Sequence, residues 1–487
     1  MDLLSVTSEI YPLIKTGGLA DVAGALPAAL GAHHVAVKTL VPGYPQVMSQ
    51  LRDTQVVIEY EDLFDGSARI LAGRAAGLDL FVIDAPHLYN REGGPYGGAS
   101  GDYADNWKRY AGLSFVAAEL SRGKAQGYEP DVMQAHDWQS ALAPAYVAYG
   151  GGRRKAKTVM TIHNLAFQGQ FGRDIFWKLQ LPPEAFSMSG VEYYGGVGFL
   201  KAGIQTADAV TTVSPTYAAE IRTREFGMGL DGLLNVRSDR LHGILNGIDT
   251  DAWDPGTDPF LHANYRLSTI KQREENKLAL ETRFGLNRDD GPLFGLVSRL
   301  TWQKGIDILS SCIDPLVNAG GRLVVLGSGD DTLESAMASA AWRHPGRVGF
   351  ERSYDEPLSH LIQGGVDAIL VPSRFEPCGL TQLFGLRYGA VPVVSRVGGL
   401  ADTVIDANLA AVEAGVATGV QFSPVSQHAL LGAINRTIAL YRDERVWSRM
   451  RRNGMKFDVG WHASAAKYVK LFRELLGQAT EDDDSDS

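Results

Sequence analysis

Glu376 stands in PSRFEPCGLTQ, just beyond the apolar run DAILVPS, where Gly379 opens a helical pattern with Leu380 and Thr381 at its start. A carboxylate beside a helix N-terminus can reach the hydroxyls of a bound sugar or steady a developing positive charge. It can equally be a helix-end charge. Arg299 and Lys304, in SRLTWQKG, follow the run PLFGLV. The arginine fork and the lysine point charge together suit two linked phosphates, although two surface bases on a loop would look the same. Lys15, Gly17 and Gly18, in KTGGLADV, follow the first apolar run of the chain. Glycines there allow a sharp turn and close backbone approach, and a helix start offers N–H groups to an anion. A turn needed only for packing would carry the same residues. Asp21, on the first helical turn, fits a helix-end charge or a site carboxylate.

His136 and Asp137 in AHDWQ, and His163 and Asn164 in TIHN, also follow short apolar runs. Such groups can hydrogen-bond a polyhydroxylated substrate or simply fix their loops. Their spacing is not a metal-ligand pattern, so no metal is expected. Cys378 has no nearby histidine to activate it and reads as a small buried residue. LVVLGSGDD holds two glycines of a dinucleotide fingerprint, but Thr332 occupies the third position. In HGILNGID, Asn246 and Gly247 are natural turn residues.

The elements positioning these residues repeat one pattern, a short apolar run followed by a turn and a helical stretch. That alternation predicts parallel sheets covered on both faces. ARILAGR and LDLFVIDAP read instead as an inserted hairpin. A first series ends near LHGILNG and a second begins near PLFGLVSRL. Between them DTDAWDPGTDPFLHANY, rich in Asp, Pro and Gly, reads as a linker and hinge. The expected divisions are an N-terminal domain over 1–253, a second domain over 254–455 and a C-terminal helix over 456–478 packing back on the first domain. An acidic, disordered tail would fill 479–487. A chain of 487 residues fits two domains. Doubly wound sheets bind ligands outside the carboxyl ends of their strands, where all the residues above fall. GGLAD occurs in both series, at Gly17–Asp21 and Gly398–Asp402, as if each domain needed one glycine turn into a helix.

Composition narrows the class. Hydrophobic content of 45% and charged content of 21% are ordinary for a soluble globular protein. The net charge of −10 includes the acidic C-terminus, so nucleic acid is not an expected partner. Two cysteines without CxxC spacing argue against a disulfide framework. No apolar run is long enough to span a bilayer, and the N-terminus has no signal-peptide pattern, so a cytoplasmic protein is expected.

Taken in order, KTGGLADV, PGYP, AHDWQ, TIHN, NGID, SRLTWQKG, RFEPCGLTQ and VGGLADTV make the chain resemble the bacterial glycogen synthases. These belong to the starch and glycogen synthase family of retaining glycosyltransferases. The resemblance runs from about Leu3 to about Leu475. It implies the GT-B fold, two Rossmann-like doubly wound domains facing across a deep cleft. It also implies transfer of glucose from ADP-glucose to the non-reducing 4-hydroxyl of an α-1,4-glucan, with no cofactor or metal. By motif, Lys15, Gly17 and Gly18 would contact the donor, and Arg299 and Lys304 would hold its diphosphate. Glu376 would bind the glucose, with Gly379, Leu380 and Thr381 offering N–H groups to phosphate. His163 would contact the transferred sugar, Asp137 would orient hydroxyls, and Tyr354 would stack on adenine. Asp21, Tyr96, Asn164, Asn246 and Cys378 complete the implied substrate-binding set.

Two departures stand out. Many relatives have a histidine where this chain has Gln134, which weakens any role needing a histidine pair there. Phe384 occupies the place of the second glutamate in the E-x7-E signature of sucrose-phosphate-synthase-like enzymes. The competing readings are a UDP-glucose-dependent enzyme, an inactive glucan-binding or regulatory protein of the same fold, a glucan phosphorylase, and an NAD-dependent oxidoreductase.

Overall fold

The structure is a computed structural model that describes residues 1–98, 101–151 and 156–478. The expected acidic tail at 479–487 lies outside the described residues. The described residues form two compact units, one of residues 1–246 with the stretch from 461 onward and one of residues 247–460.

The first unit is built on a nine-stranded sheet. Its strands are β1 (Asp2–Val6), β2 (Ala36–Pro42), β3 (Arg52–Tyr60), β4 (Ala68–Ala75), β5 (Leu78–Asp84), β6 (Val132–His136), β7 (Lys157–Ile162), β8 (Ala209–Thr212) and β9 (Leu241–Gly243). Their order is β9-β8-β7-β6-β1-β2-β5-β4-β3. All pairings from β9 to β5 are parallel, and the β4–β5 hairpin and β3 add an antiparallel edge. Ala76 and Gly77, both at positive φ (49° and 78°), close the hairpin as a two-residue turn whose twist matches the strands. Helix α1 (Gly18–Gly31) starts at the first GGLAD and buries Leu19, Val22, Leu26 and Leu30. The short helix α2 (Asp137–Ser140) begins where β6 ends.

The second unit has six parallel strands, β10 (Leu293–Val297), β11 (Arg322–Leu326), β12 (Val348–Glu351), β13 (Ala368–Val371), β14 (Val391–Ser395) and β15 (Val420–Phe422). They run in the order β12-β11-β10-β13-β14-β15. This is the Rossmann order, with its topological switch between β10 and β13. The central strands are apolar and buried on both faces, as a sheet covered twice requires. Helix α3 (Asp331–Arg343) follows β11, α4 (Thr381–Tyr388) follows β13 and α5 (Gly398–Thr403) follows β14.

Chain crossings between the units fall at 246/247 and 460/461. The stretch read as a linker and hinge is instead a packed part of the second unit. Trp253 is sandwiched between the rings of His360 and Phe384, each with its centroid 3.6 Å away and its plane within 14°. Asp258 is buried and accepts hydrogen bonds from Tyr388 Oη and His360 Nδ1, at 2.5 and 2.7 Å. Burial pushes this carboxyl up, but those bonds and the Phe260 N–H outweigh it and hold it below the ordinary range. Helix α6 (His462–Leu476) returns to the first unit, where Ala465, Tyr468, Val469 and Phe472 pack with Leu3, Val22, Leu26 and Leu30.

Candidate functional site

In the second unit, the loops after β10 and β13 flank the switch point and are tied together. Lys304 Nζ lies 2.6 Å from Glu376 Oε2, and Ser373 Oγ donates to the same oxygen at 2.8 Å. Glu376 is only 7% exposed. The loops touch closely because Gly305, at φ +68°, has no side chain; a Cβ there would lie 2.0 Å from the Pro372 carbonyl oxygen. Arg374 fastens the same contact. Its guanidinium binds both carboxylate oxygens of Asp307 at 2.7 Å and stacks 4.3 Å from the Trp302 ring centroid.

The second GGLAD supports this loop from behind. The Gly399 N–H donates to the carbonyl oxygens of Glu376 and Pro377, both at 3.1 Å. Gly379 sits at φ +72°, and Gln382 Nε2 donates to the Cys378 and Gly379 carbonyls at 3.1 and 2.9 Å. Leu380 and Thr381 thereby begin α4 next to Glu376, with Cys378 buried beneath. Arg299 follows β10 on the same edge, exposed, and its guanidinium has no partner among the described residues. Tyr354, beyond the end of β12, is 75% exposed and donates to Glu356 at 3.2 Å. The glycines of GSGDD have a packing role. Cβ atoms at Gly327 and Gly329 would meet the Ser298 and Leu300 carbonyl oxygens, and Asp330 caps α3 through the Thr332 and Leu333 N–H groups. This pattern follows the second strand of the Rossmann series, away from the position a dinucleotide fingerprint needs.

In the first unit, the corresponding edge gathers the ends of β1, β6 and β7. Lys15 and Asp21 form an ion pair at 2.8 Å across the start of α1. Gly17 has an extended backbone and open space where a Cβ would be, so no turn forces glycine there. Glu9, which the motif reading passed over, organises the loop. Its buried carboxylate accepts the N–H groups of Thr16 (2.5 Å) and Gly17 (3.2 Å), the Thr16 hydroxyl (2.6 Å) and the Tyr96 hydroxyl. Tyr96 also contacts Ser8 Oγ at 2.8 Å. Burial, and then Glu9, raise the Tyr96 hydroxyl well above its ordinary range. The visible signal for Glu9 was an acid three residues past the first strand, ahead of a glycine pair.

Asp137 takes φ +55°, a strained conformation for a non-glycine residue. Its Oδ1 accepts the N–H groups of His163 (2.7 Å) and Asn164 (3.3 Å). Burial pushes its carboxyl up to about 7 despite those bonds. His136 Nδ1 and His163 Nε2 lie 2.9 Å apart. A histidine pair therefore does form here, from neighbouring strand ends, although position 134 is glutamine. Gln134 points elsewhere, donating to Thr161 Oγ1 at 2.8 Å. Burial lowers His136 to about 3; burial, and then His136, drive His163 well below its ordinary value. Asn164 Oδ1 accepts the Ala166 N–H at 3.0 Å, and Asn246 is buried at the end of the unit. Among the described residues no cluster of His, Cys, Asp or Glu could hold a metal ion.

Residues 2–236 match the starch synthase catalytic domain family, and residues 280–456 match glycosyl transferases group 1. A glycogen synthase of Mesorhizobium japonicum is 59% identical over 98% of this chain and 99% of its own. One from Rhodopseudomonas palustris is 57% identical, with coverages of 98% and 99%. The chain belongs to the glycogen synthase family. The catalytic domain of starch synthase IV from Arabidopsis thaliana, solved bound to ADP and acarbose, superposes with a TM-score of 0.89. It is 32% identical and covers 98% of this chain and 99% of that one. A sucrose-phosphate synthase from Thermosynechococcus elongatus, 18% identical with a TM-score of 0.59 and coverages of 98% and 99%, shares the fold. With two Rossmann-like units and these neighbours, this glycogen synthase family member has the GT-B glycosyltransferase fold.

Proposed function

We propose that this glycogen synthase family member transfers glucose from ADP-glucose to the non-reducing 4-hydroxyl of an α-1,4-glucan, with retention and without a metal. The observation that carries the reading is Glu376, clamped by Lys304 and Ser373 at the switch point of a Rossmann-ordered sheet. Near-full-length identity to glycogen synthases supports the reaction class, and the ADP-bound Arabidopsis neighbour supports the choice of nucleotide. The work belongs in the cytoplasm; no described helix is long and apolar enough to cross a membrane.

Arg299 is exposed and available to grip the diphosphate, and Lys304 beside it offsets charge on the leaving group. Glu376 keeps a negative charge near the anomeric carbon as it becomes oxocarbenium-like. The N–H groups from Gly379 to Thr381 face phosphate, and Tyr354 stacks on the base. In the first unit, Lys15, Gly17, Gly18 and Asp21 contact the donor. His163 contacts the transferred sugar, and Asp137, Asn164, Tyr96 and Asn246 shape the surroundings. Retention by double displacement needs a free carboxylate nucleophile. Glu376 Oε2 is already bound by an ammonium and a hydroxyl, and Asp137 Oδ1 by two backbone N–H groups. The preferred reading is front-face substitution, with the leaving phosphate taking the acceptor proton; a trapped glycosyl adduct on Glu376, Asp137 or Asp21 would overturn it.

The test incubates purified protein with glycogen and either ADP-glucose or UDP-glucose, without added metal, and measures nucleoside diphosphate release. Release of ADP, reduced about a hundredfold or more in Glu376→Ala, supports the reading. Release from UDP-glucose alone corrects the donor. Glycogen binding without release from either moves the assignment to a glucan-binding protein.

A further inference from the structure

The histidine pair holds a hydrogen-bond sequence that the family resemblance does not assign. Ser5 lies on β1, buried, and His136 Nε2 is the only hydrogen-bond partner of its hydroxyl among the described residues, at 3.2 Å. The opposite nitrogen, His136 Nδ1, meets His163 Nε2 at 2.9 Å. His163 Nδ1 has no partner among the described residues, and the residue is part-exposed. Asp137 binds the His163 backbone N–H and not its ring.

Counting hydrogens decides the arrangement. A neutral imidazole carries one proton, so one nitrogen donates and the other accepts. Burial keeps both rings neutral near pH 7. If His136 carried its proton on Nε2, it would donate to Ser5 Oγ. The serine hydrogen would then be buried with no acceptor, which is unfavourable. If Ser5 donates to Nε2 instead, the His136 proton must sit on Nδ1. That proton points at His163 Nε2, which must then be bare. The His163 proton is left on Nδ1, and every buried hydrogen has an acceptor.

We propose that Ser5 and His136 are positioning residues that fix His163 as its Nδ1–H tautomer, so that His163 meets the substrate as a hydrogen-bond donor. The substrate half of this statement rests on the reading above, in which His163 contacts the transferred sugar. Its partner is then an acceptor atom, a hydroxyl or phosphoryl oxygen. A ring whose outward nitrogen is protonated cannot take a proton from the attacking 4-hydroxyl. His163 is thereby removed as a general base, which agrees with the leaving phosphate filling that role.

The experiment uses the full chain labelled with ¹⁵N-histidine and reads which ring nitrogens carry protons. His136 and His163 resonances are assigned from their loss in His136→Asn and His163→Asn. The expected ligand-free spectrum shows both rings protonated at Nδ1, with bare Nε2, from pH 6 to 8. Ser5→Ala should mix the His163 tautomers, and Ser5→Thr, which restores the hydroxyl, should return the single form. Glucosyl transfer should fall about threefold to tenfold in Ser5→Ala and recover in Ser5→Thr, the scale of one neutral hydrogen bond. His163 protonated at Nε2 in the unsubstituted protein overturns the proposal without needing any variant to fold. Unchanged tautomers in a folded Ser5→Ala overturn it as well. The expected tautomers in a protein that transfers no glucose support the hydrogen-bond sequence while refuting the functional reading, so the two failures are distinguishable.

Discussion

At Gly17, the first glycine of the N-terminal GGLAD, an added Cβ would meet nothing within 4 Å. At Gly398, the same position in the second copy, it would lie 2.1 Å from the Glu376 carbonyl oxygen, and φ is +43°. One glycine leaves open space at the start of a 14-residue helix. The other lets a short helix press against the loop that carries Glu376. The supports differ as well. A buried carboxylate, Glu9, holds the first copy through N–H and hydroxyl donors, whereas backbone contacts to Glu376, Pro377 and Cys378 hold the second. Identical pentapeptides therefore report on different physics, open space in one unit and close packing in the other.

The sharpest way to break this contrast is Gly398→Ala. A methyl group there collides with backbone that cannot rotate away, and alanine disfavours the left-handed region. Stability should fall by about 3 kcal/mol, read by urea unfolding of the full chain. Glucosyl transfer should fall with it, because the displaced atom belongs to Glu376. A variant as stable as the parent would mean that the second GGLAD is not a packing device.

Glu9→Gln tests the other support. Oε2 faces two backbone N–H groups and Oε1 two hydroxyls, so an amide can keep its oxygen on the N–H groups only by turning its NH₂ to the Thr16 and Tyr96 hydroxyls, which must then accept instead of donate. A loss of about 2 kcal/mol is expected, together with a higher KM for the nucleotide sugar as the Thr16–Gly17 loop loosens. A lower stability with unchanged KM would confine Glu9 to the fold.

The first unit also carries a titratable cluster, Asp137, His136 and His163, at its strand ends. Asp137 is raised from an ordinary 3.8 to about 7. Between those values the folded state holds a proton that the unfolded state has lost, so this group makes stability fall as pH rises from about 4 to about 7. His136, lowered from 6.5 to about 3, works in the opposite sense. The unfolded state binds the extra proton between those values, so its contribution rises with pH. His163, also driven well below its ordinary value, adds a second rising contribution, so these three groups together should make the parent's stability rise from about pH 4 to about 6.5. Asp137→Asn removes only the falling component, and its stability relative to the parent should increase steadily from pH 4 to 7. A constant difference across that range would show that Asp137 ionises normally.

Much of the second unit is legible from sequence because buried parallel strands are continuous apolar runs: LFGLV, RLVVL and AILV declare themselves. β3 was not recognised because most of its residues are exposed on the sheet edge, so RDTQVVIEY carries little core pattern. The stretch containing Trp253 has the composition of a linker, yet His360 and Phe384 enclose its ring from more than a hundred residues away. No local pattern encodes that contact. Phe384 also shows why a departure from a related signature can carry meaning: the side chain in place of a second glutamate serves the core. For the site, motif order marked Glu376, Lys304, His163 and Asp137 as candidates. Glu9, Ser373 and the His136–His163 bond were invisible because their partners meet only when loops from separate strands converge.

Gly17→Ala carries the smallest expected effect and isolates the open-space half of the contrast. The backbone at Gly17 is extended, φ −160°, which alanine adopts without strain, and the methyl group would enter open space. Stability should not fall, and restricting the unfolded chain could raise it by about 0.5 kcal/mol. If the missing side chain serves ligand approach, the methyl group stands where the donor must come near the N–H groups of the loop. KM for the nucleotide sugar should then rise about threefold to tenfold with little change in kcat, the pattern of weakened binding common to ground and transition states. A variant with unchanged stability and unchanged KM would show that the first GGLAD keeps its glycine for neither packing nor access. The shared pentapeptide would then have a physical reason in only one of the two units.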